Sequence, residues 1–150
     1  GGDVFRQTTF YPFRDVCQWG RGVALDMKIR SQVYEDDEFG PVPYIEAVAV
    51  INDTVGELTV FMVNRDLNNS QELVVDFRDF ATYSPQNYTF LKSDNLKSCN
   101  SLQQPFNVKS KEGKAPTSSE SDVSFILQPG SWNVFRFFDQ QIYDKASKKN

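Results

Sequence analysis

Histidine is absent from the 150 residues, and that single absence removes the commonest general base, the usual activator of a nucleophile and the commonest zinc ligand. Catalytic triads and His-based metal sites are thereby excluded. Phosphate loops, dinucleotide fingerprints and EF-hand loops each require a glycine-rich or alternating acidic pattern that the chain never shows. Carboxylate chemistry is what remains. The densest acidic cluster, Asp36-Asp37-Glu38 ahead of Gly40-Pro41, would be a cation site or a pair of working carboxylates. Glycosidic cleavage, however, needs two carboxyl groups on opposite sides of one bond, held by rigid elements around a cleft. Adjacent acids in a loop do not meet that requirement, and the cluster reads as solvated surface charge.

Aromatic side chains are the other candidates, because sugar rings stack on Trp and Tyr faces. Trp132 and the run from Phe135 to Phe138 lie where alternating aromatics fill a core. Tyr11 and Trp19 belong to the N-terminal region and are expected to pack against something. Cys17 and Cys99 are too few for a disulfide framework; they read as two reduced thiols, although one bridge is compatible with the sequence. Asn52-Asp53-Thr54, Asn68-Asn69-Ser70 and Asn87-Tyr88-Thr89 match glycosylation acceptors, a pattern that Asn- and Ser-rich turns also produce by chance.

The elements that would position these residues follow from pattern. A chain of this length builds one core. From Thr8 to Trp19, Phe10, Phe13, Val16 and Cys17 recur at helical spacing, with Pro12 in the first turn and Gly20 and Gly22 as stops. After Gly22 the chain turns to short runs rich in Val, Ile, Phe and Thr, the signal of an antiparallel sandwich or barrel. Strands are expected at Ala24 to Gln32, Tyr44 to Asn52, Leu58 to Arg65, Glu72 to Phe77, Tyr88 to Lys92, Val123 to Gln128 and Trp132 to Phe138. The second, third and fourth are expected to form a meander through two hairpin loops. Leu58, Val60 and Met62 alternate with Thr59, Phe61 and Val63, so that strand is apolar on both faces and belongs in the middle of a sheet. Glu72 to Phe77 suits a strand with one face partly in water. Ser93 to Ser121 reads as a long Greek-key crossing loop. The fold class is therefore all-β, an antiparallel sandwich of jelly-roll or Greek-key type preceded by one short helix.

Charge narrows the partners. The net charge of −4 and the scattered lysines argue against nucleic acid, which requires a clustered basic footprint. No run approaches the ~18 apolar residues of a membrane span.

Three stretches, taken in order, resemble one family: Arg6-Gln7-Thr8-Thr9-Phe10-Tyr11-Pro12-Phe13 followed by Trp19-Gly20-Arg21-Gly22; Phe39-Gly40-Pro41-Val42-Pro43-Tyr44-Ile45-Glu46-Ala47; and Gly56-Glu57-Leu58-Thr59-Val60-Phe61-Met62-Val63-Asn64-Arg65. Together with Ser131-Trp132-Asn133-Val134-Phe135-Arg136 they look like the C-terminal part of the family 51 α-L-arabinofuranosidases. The chain departs from the family most between Tyr83 and Val123, where it lacks a histidine-containing segment. The resemblance implies a parent with a catalytic (β/α)8 barrel, two upstream glutamates and a retaining mechanism. It also implies that residues 1–22 are the remnant of the last barrel loop and helix and that residues 23–150 are a non-catalytic β-sandwich domain. The implied partners are the barrel, arabinose-containing oligosaccharides bound through the parent, and a second copy in a homo-oligomer; nucleic acid, membrane and cofactor are not among them. A bacterial cytoplasm is the implied location. Gln7 matches a family glutamine that reaches the sugar pocket, an amide suited to a furanose hydroxyl. The competing reading is a polar cap on the following helix, a task that Thr8 or Thr9 performs better. The alternative to a structural domain is an autonomous carbohydrate-binding module.

Overall fold

The computed structural model describes residues 3–77, 80, 82–118 and 122–147. In chain order these form α1 (Phe10–Trp19), β1 (Val23–Leu25), β2 (Val33–Asp36), β3 (Gly40–Pro43), β4 (Ile45–Asn52), β5 (Glu57–Asn64), β6 (Gln71–Asp76), β7 (Tyr83–Leu91), β8 (Lys111–Glu112), β9 (Thr117–Ser118), β10 (Asp122–Leu127), β11 (Ser131–Asp139) and α2 (Gln140–Ser147). One sheet has the order β1-β4-β5-β11-β7-β8 and faces a smaller sheet of order β6-β10-β9, while β2 and β3 form a separate hairpin. The expected all-β sandwich with a leading helix is the observed architecture.

The doubly apolar strand, β5, lies between β4 and β11. Its inward residues Leu58, Val60 and Met62 meet Phe125 and Leu127 of the facing sheet and Phe135 and Phe137 of β11. Each fully buried side chain of this size contributes about 1.5–3 kcal/mol. The rings interlock across the gap, Phe125 edge to face with Phe135 at 4.3 Å and Phe137 tilted against Phe77 at 4.8 Å.

Two expectations about strands are corrected. The meander stops after its second strand, because β6 leaves β5 and pairs with β10 in the opposite sheet. The cause lies in the connection. Asp66 Oδ1 accepts the N–H groups of Asn68 and Asn69, each at 2.9 Å, which turns the chain sharply. The buried Asn64 amide donates to the carbonyls of Leu127 and Gln128 at the end of β10, tying the turn to the other layer. Strand Ala24 to Gln32 is also shorter than expected, ending at Leu25. The N–H of Tyr44 goes to the Gln32 carbonyl and that of Ile45 to Ser31 Oγ, drawing the chain off the β4 ladder. Leu25 and Met27 still pack on the core. Helix α2 was not expected; Asp139 caps it by accepting the N–H groups of Gln141 and Ile142. The expected crossing loop carries β8 and β9, and part of it, residues 119–121, lies outside the described residues.

Candidate functional site

Helix α1 lies over the outer face of the larger sheet, and its two faces are chemically different. Tyr11, Asp15 and Trp19 face the sheet, at i, i+4 and i+8. Tyr11 joins Leu91 and Val108 in an apolar cluster, and Trp19 and Trp132 pack on Val50, Phe61 and Val134. Asp15, 1% exposed, accepts the Trp132 indole N–H at 3.1 Å and two donations from Arg14 at 3.0 and 2.6 Å. The Arg136 guanidinium lies 5.0 Å from the Trp19 ring and is paired with Glu57. Phe10 and Trp19 are partly buried by this docking.

The opposite face carries Phe13, Val16 and Cys17. These three, with Phe10, are the apolar residues whose helical spacing predicted α1, yet Phe13 is 74% exposed and Val16 46%. Upstream, Val4 is 92% exposed. The expectation that Tyr11 and Trp19 pack against something is met by the sandwich itself; Phe10 is partly buried beside them and Phe13 is left exposed.

Gln7 is exposed in the segment just ahead of α1. Its carbonyl accepts the Phe10 N–H at 3.0 Å, and the Arg6 guanidinium lies 4.7 Å from the Phe10 ring. The helix N-cap residue is Thr9, which makes no side-chain capping bond. The backbone at Arg6 is held by Asn100, a residue that spacing alone did not mark.

The remaining candidates serve the fold. Asp36 Oδ1 accepts the N–H groups of Glu38 and Phe39, both at 3.0 Å, inside the β2–β3 turn. Surface charge in a turn is what the sequence suggested. Trp132 is partly buried on the outer face, whereas Phe135 and Phe137 enter the main core and Phe138 is buried on the same outer side. Cys17 and Cys99 are both exposed and not bonded to each other. No group of three or more acids and cysteines with metal-holding geometry occurs among the described residues. No described helix is long and apolar enough to cross a membrane.

Clefts open at the sides of the sandwich among the described residues. The first, about 720 Å³, lies between residues 25–30 and β6, with Leu25, Met27, Leu73, Val75 and Phe77 in its wall. The second, about 750 Å³, lies between β7, β8 and β10 and includes Tyr88, Phe90, Lys92 and Asp94. Burial pushes the Tyr88 phenol up to about 12, and its hydroxyl donates to Asn133 Oδ1 at 2.9 Å. Asp94 is paired with Lys92 at 3.3 Å. A helix that docks by one face and offers an apolar other face has the form of a seam with another layer of protein.

Comparison with known proteins places the chain in a family. The family model of the α-L-arabinofuranosidase C-terminal domain matches residues 1–131. The intracellular exo-α-(1→5)-L-arabinofuranosidase of Halalkalibacterium halodurans is 32% identical over 136 residues, 91% of this chain and 27% of that protein. A Bacillus subtilis protein called intracellular exo-α-(1→5)-L-arabinofuranosidase 1 is 31% identical over 140 residues, 93% of this chain and 28% of its own length. A solved family 51 α-L-arabinofuranosidase from Bifidobacterium longum superposes with a TM-score of 0.83 at 26% identity, over 91% of this chain and 27% of that one. The Thermotoga maritima enzyme, at 13% identity and a TM-score of 0.73 over 88% of this chain and 29% of its own, shares the fold. The chain spans little more than a quarter of these relatives. It belongs to the C-terminal domain family of the α-L-arabinofuranosidases.

Proposed function

We propose that this chain is the non-catalytic C-terminal domain of an intracellular glycoside hydrolase that removes terminal arabinofuranosyl residues from arabinose-containing polysaccharides. The observation that carries the reading is the match of residues 1–131 to a domain occupying about a quarter of enzymes named exo-acting arabinofuranosidases. The two glutamates of the retaining mechanism, acid/base and nucleophile, then lie upstream on a (β/α)8 barrel. In this reading residues 1–22 are the last barrel loop and helix, residues 23–150 are the sandwich, and Gln7 completes the sugar pocket from the loop. The exposed stripe of Phe13 and Val16 supports it, since a soluble surface seldom leaves such residues together without a partner layer. The domain's work is structural: α1 is held between barrel and sandwich. Self-association of the parent into a homo-oligomer belongs to the same proposal, as does an intracellular location, which the names of two of the relatives support.

Hydrolysis of p-nitrophenyl α-L-arabinofuranoside by the purified chain, beside the full-length parent, tests the reading. The expected result is turnover by the parent alone and no heat of binding when the chain is titrated with arabino-oligosaccharides. Turnover by the chain would overturn the assignment, and binding without turnover would favour an autonomous carbohydrate-binding module.

A further inference from the structure

Asn100 lies in the loop between β7 and β8, 5% exposed, and its amide is fully engaged. Nδ2 donates to the carbonyl of Arg6 and to that of Val108, both at 2.8 Å, and Oδ1 accepts the Val108 N–H at 2.7 Å. The first bond spans 94 positions of sequence and joins the sandwich to the segment ahead of α1. Val108 sits in the apolar cluster with Tyr11 and Leu91, so the amide is seated on a packed base. The two peptide groups that flank the Gln7 Cα are thus each held, the Arg6 carbonyl by Asn100 and the Gln7 carbonyl by the Phe10 N–H. Fixing two successive carbonyls leaves the Cα–Cβ bond of Gln7 little freedom of direction.

We propose that Asn100 is a positioning residue, through which the sandwich aims the Gln7 amide at the substrate. The inference rests on the reading of Gln7 as a sugar contact and extends it: the domain sets part of the pocket's geometry in addition to packing on the barrel. A side chain misplaced by ~1 Å costs up to about 100-fold in rate. With the Phe10 tether intact the loss on removing Asn100 is smaller, on the order of 10-fold.

The test uses the full-length parent enzyme and an aryl arabinofuranoside. Asn100→Ala is expected to lower kcat/KM about 10-fold, to speed hydrogen exchange in residues 5–9, and to have almost no further effect in a Gln7→Ala background. A purely structural defect would instead add to the Gln7→Ala loss. Asn100→Asp keeps the acceptor for the Val108 N–H and removes both donations, to the Arg6 and the Val108 carbonyls; it is expected to show the same kinetic loss and serves if the alanine variant does not fold. If Gln7→Ala is impaired while both Asn100 variants keep kcat/KM within twofold, the positioning role is overturned and the reading of Gln7 stands. If Gln7→Ala itself is unimpaired, both fall.

Discussion

Replacing Asp15 by alanine probes the seam between α1 and the sandwich directly. The wild-type carboxylate, 1% exposed, holds the Trp132 indole N–H at 3.1 Å and two Arg14 donors at 3.0 and 2.6 Å. A hydrogen bond to a charged group is worth about 1.5–3 kcal/mol. Two effects reduce what is lost. Arg14 is 28% exposed and turns to water, and the variant no longer carries a buried charge. The expected net destabilisation is about 2 kcal/mol, which lowers Tm by roughly 6 °C for a domain of this size. Asp15→Asn keeps an acceptor for the indole and is expected to lose about 1 kcal/mol. The assay is built into the sequence, because the chain's two tryptophans, Trp19 and Trp132, both lie at this seam. Undocking of α1 therefore shifts emission to the red before the core unfolds. An Asp15→Ala protein within about 0.5 kcal/mol of the parent, with unchanged emission, would refute the account of how the helix is held.

Gly56, at φ +63, is expected to resist substitution: an alanine Cβ would sit 2.7 Å from Ile142 Cβ of α2, so Gly56→Ala should cost about 1–3 kcal/mol and speed hydrogen exchange in α2 ahead of the core strands. Stability should fall at both ends of the pH range. At the acid end, the Asn68 N–H, assisted by Asn69 and Gln71, outweighs burial and holds the Asp66 carboxyl below its ordinary 3.8, and the Thr82 hydroxyl does the same for Asp139, so their contribution is complete above pH 3.8 and is lost as pH falls through the lowered values. At the alkaline end, folded Tyr88 keeps until about 12 a proton that the unfolded chain releases near 10, so stability is lost between those values; a urea midpoint equal at pH 7 and pH 11 would contradict this.

The strands were legible where one residue pattern admits one environment. Leu58 to Val63 is apolar on both faces, and only a central strand under a covering layer satisfies that. Glu72 to Phe77 alternates, and β6 (Gln71–Asp76) is half-buried on one face and exposed on the other, as expected. What alternation does not encode is the neighbour, because a period of two fixes faces and leaves pairing partners open. The switch of β6 to the other sheet depends on the local Asp66 turn and on Asn64 reaching β10, the latter a contact between residues more than sixty positions apart. Asn100 was illegible for the same reason: its partner Arg6 is equally remote, and an Asn in a Ser- and Asn-rich loop carries no local mark.

Helix α1 was legible as an element, with Tyr11 and Trp19 expected to pack, while its docked face as a whole was not. Spacing drew attention to Phe10, Phe13, Val16 and Cys17, of which only Phe10 packs on the sandwich, while the face that meets the sheet is marked by Tyr11, Asp15 and Trp19. A carboxylate between two aromatics on one helical face was the available signal, since a buried acid requires a donor and therefore a docked surface. Both readings of the helix are right about burial once the chain is placed in a longer protein. A helix with apolar residues on more than one face is buried on more than one face. The sandwich supplies one wall, and the exposed stripe defines the second that the proposed barrel would supply. Because Asn100 and Asp15 fasten the segment and the helix to the sandwich independently, a shift between sandwich and barrel would move Gln7 with the sandwich, and the precision of the pocket would depend on that seam.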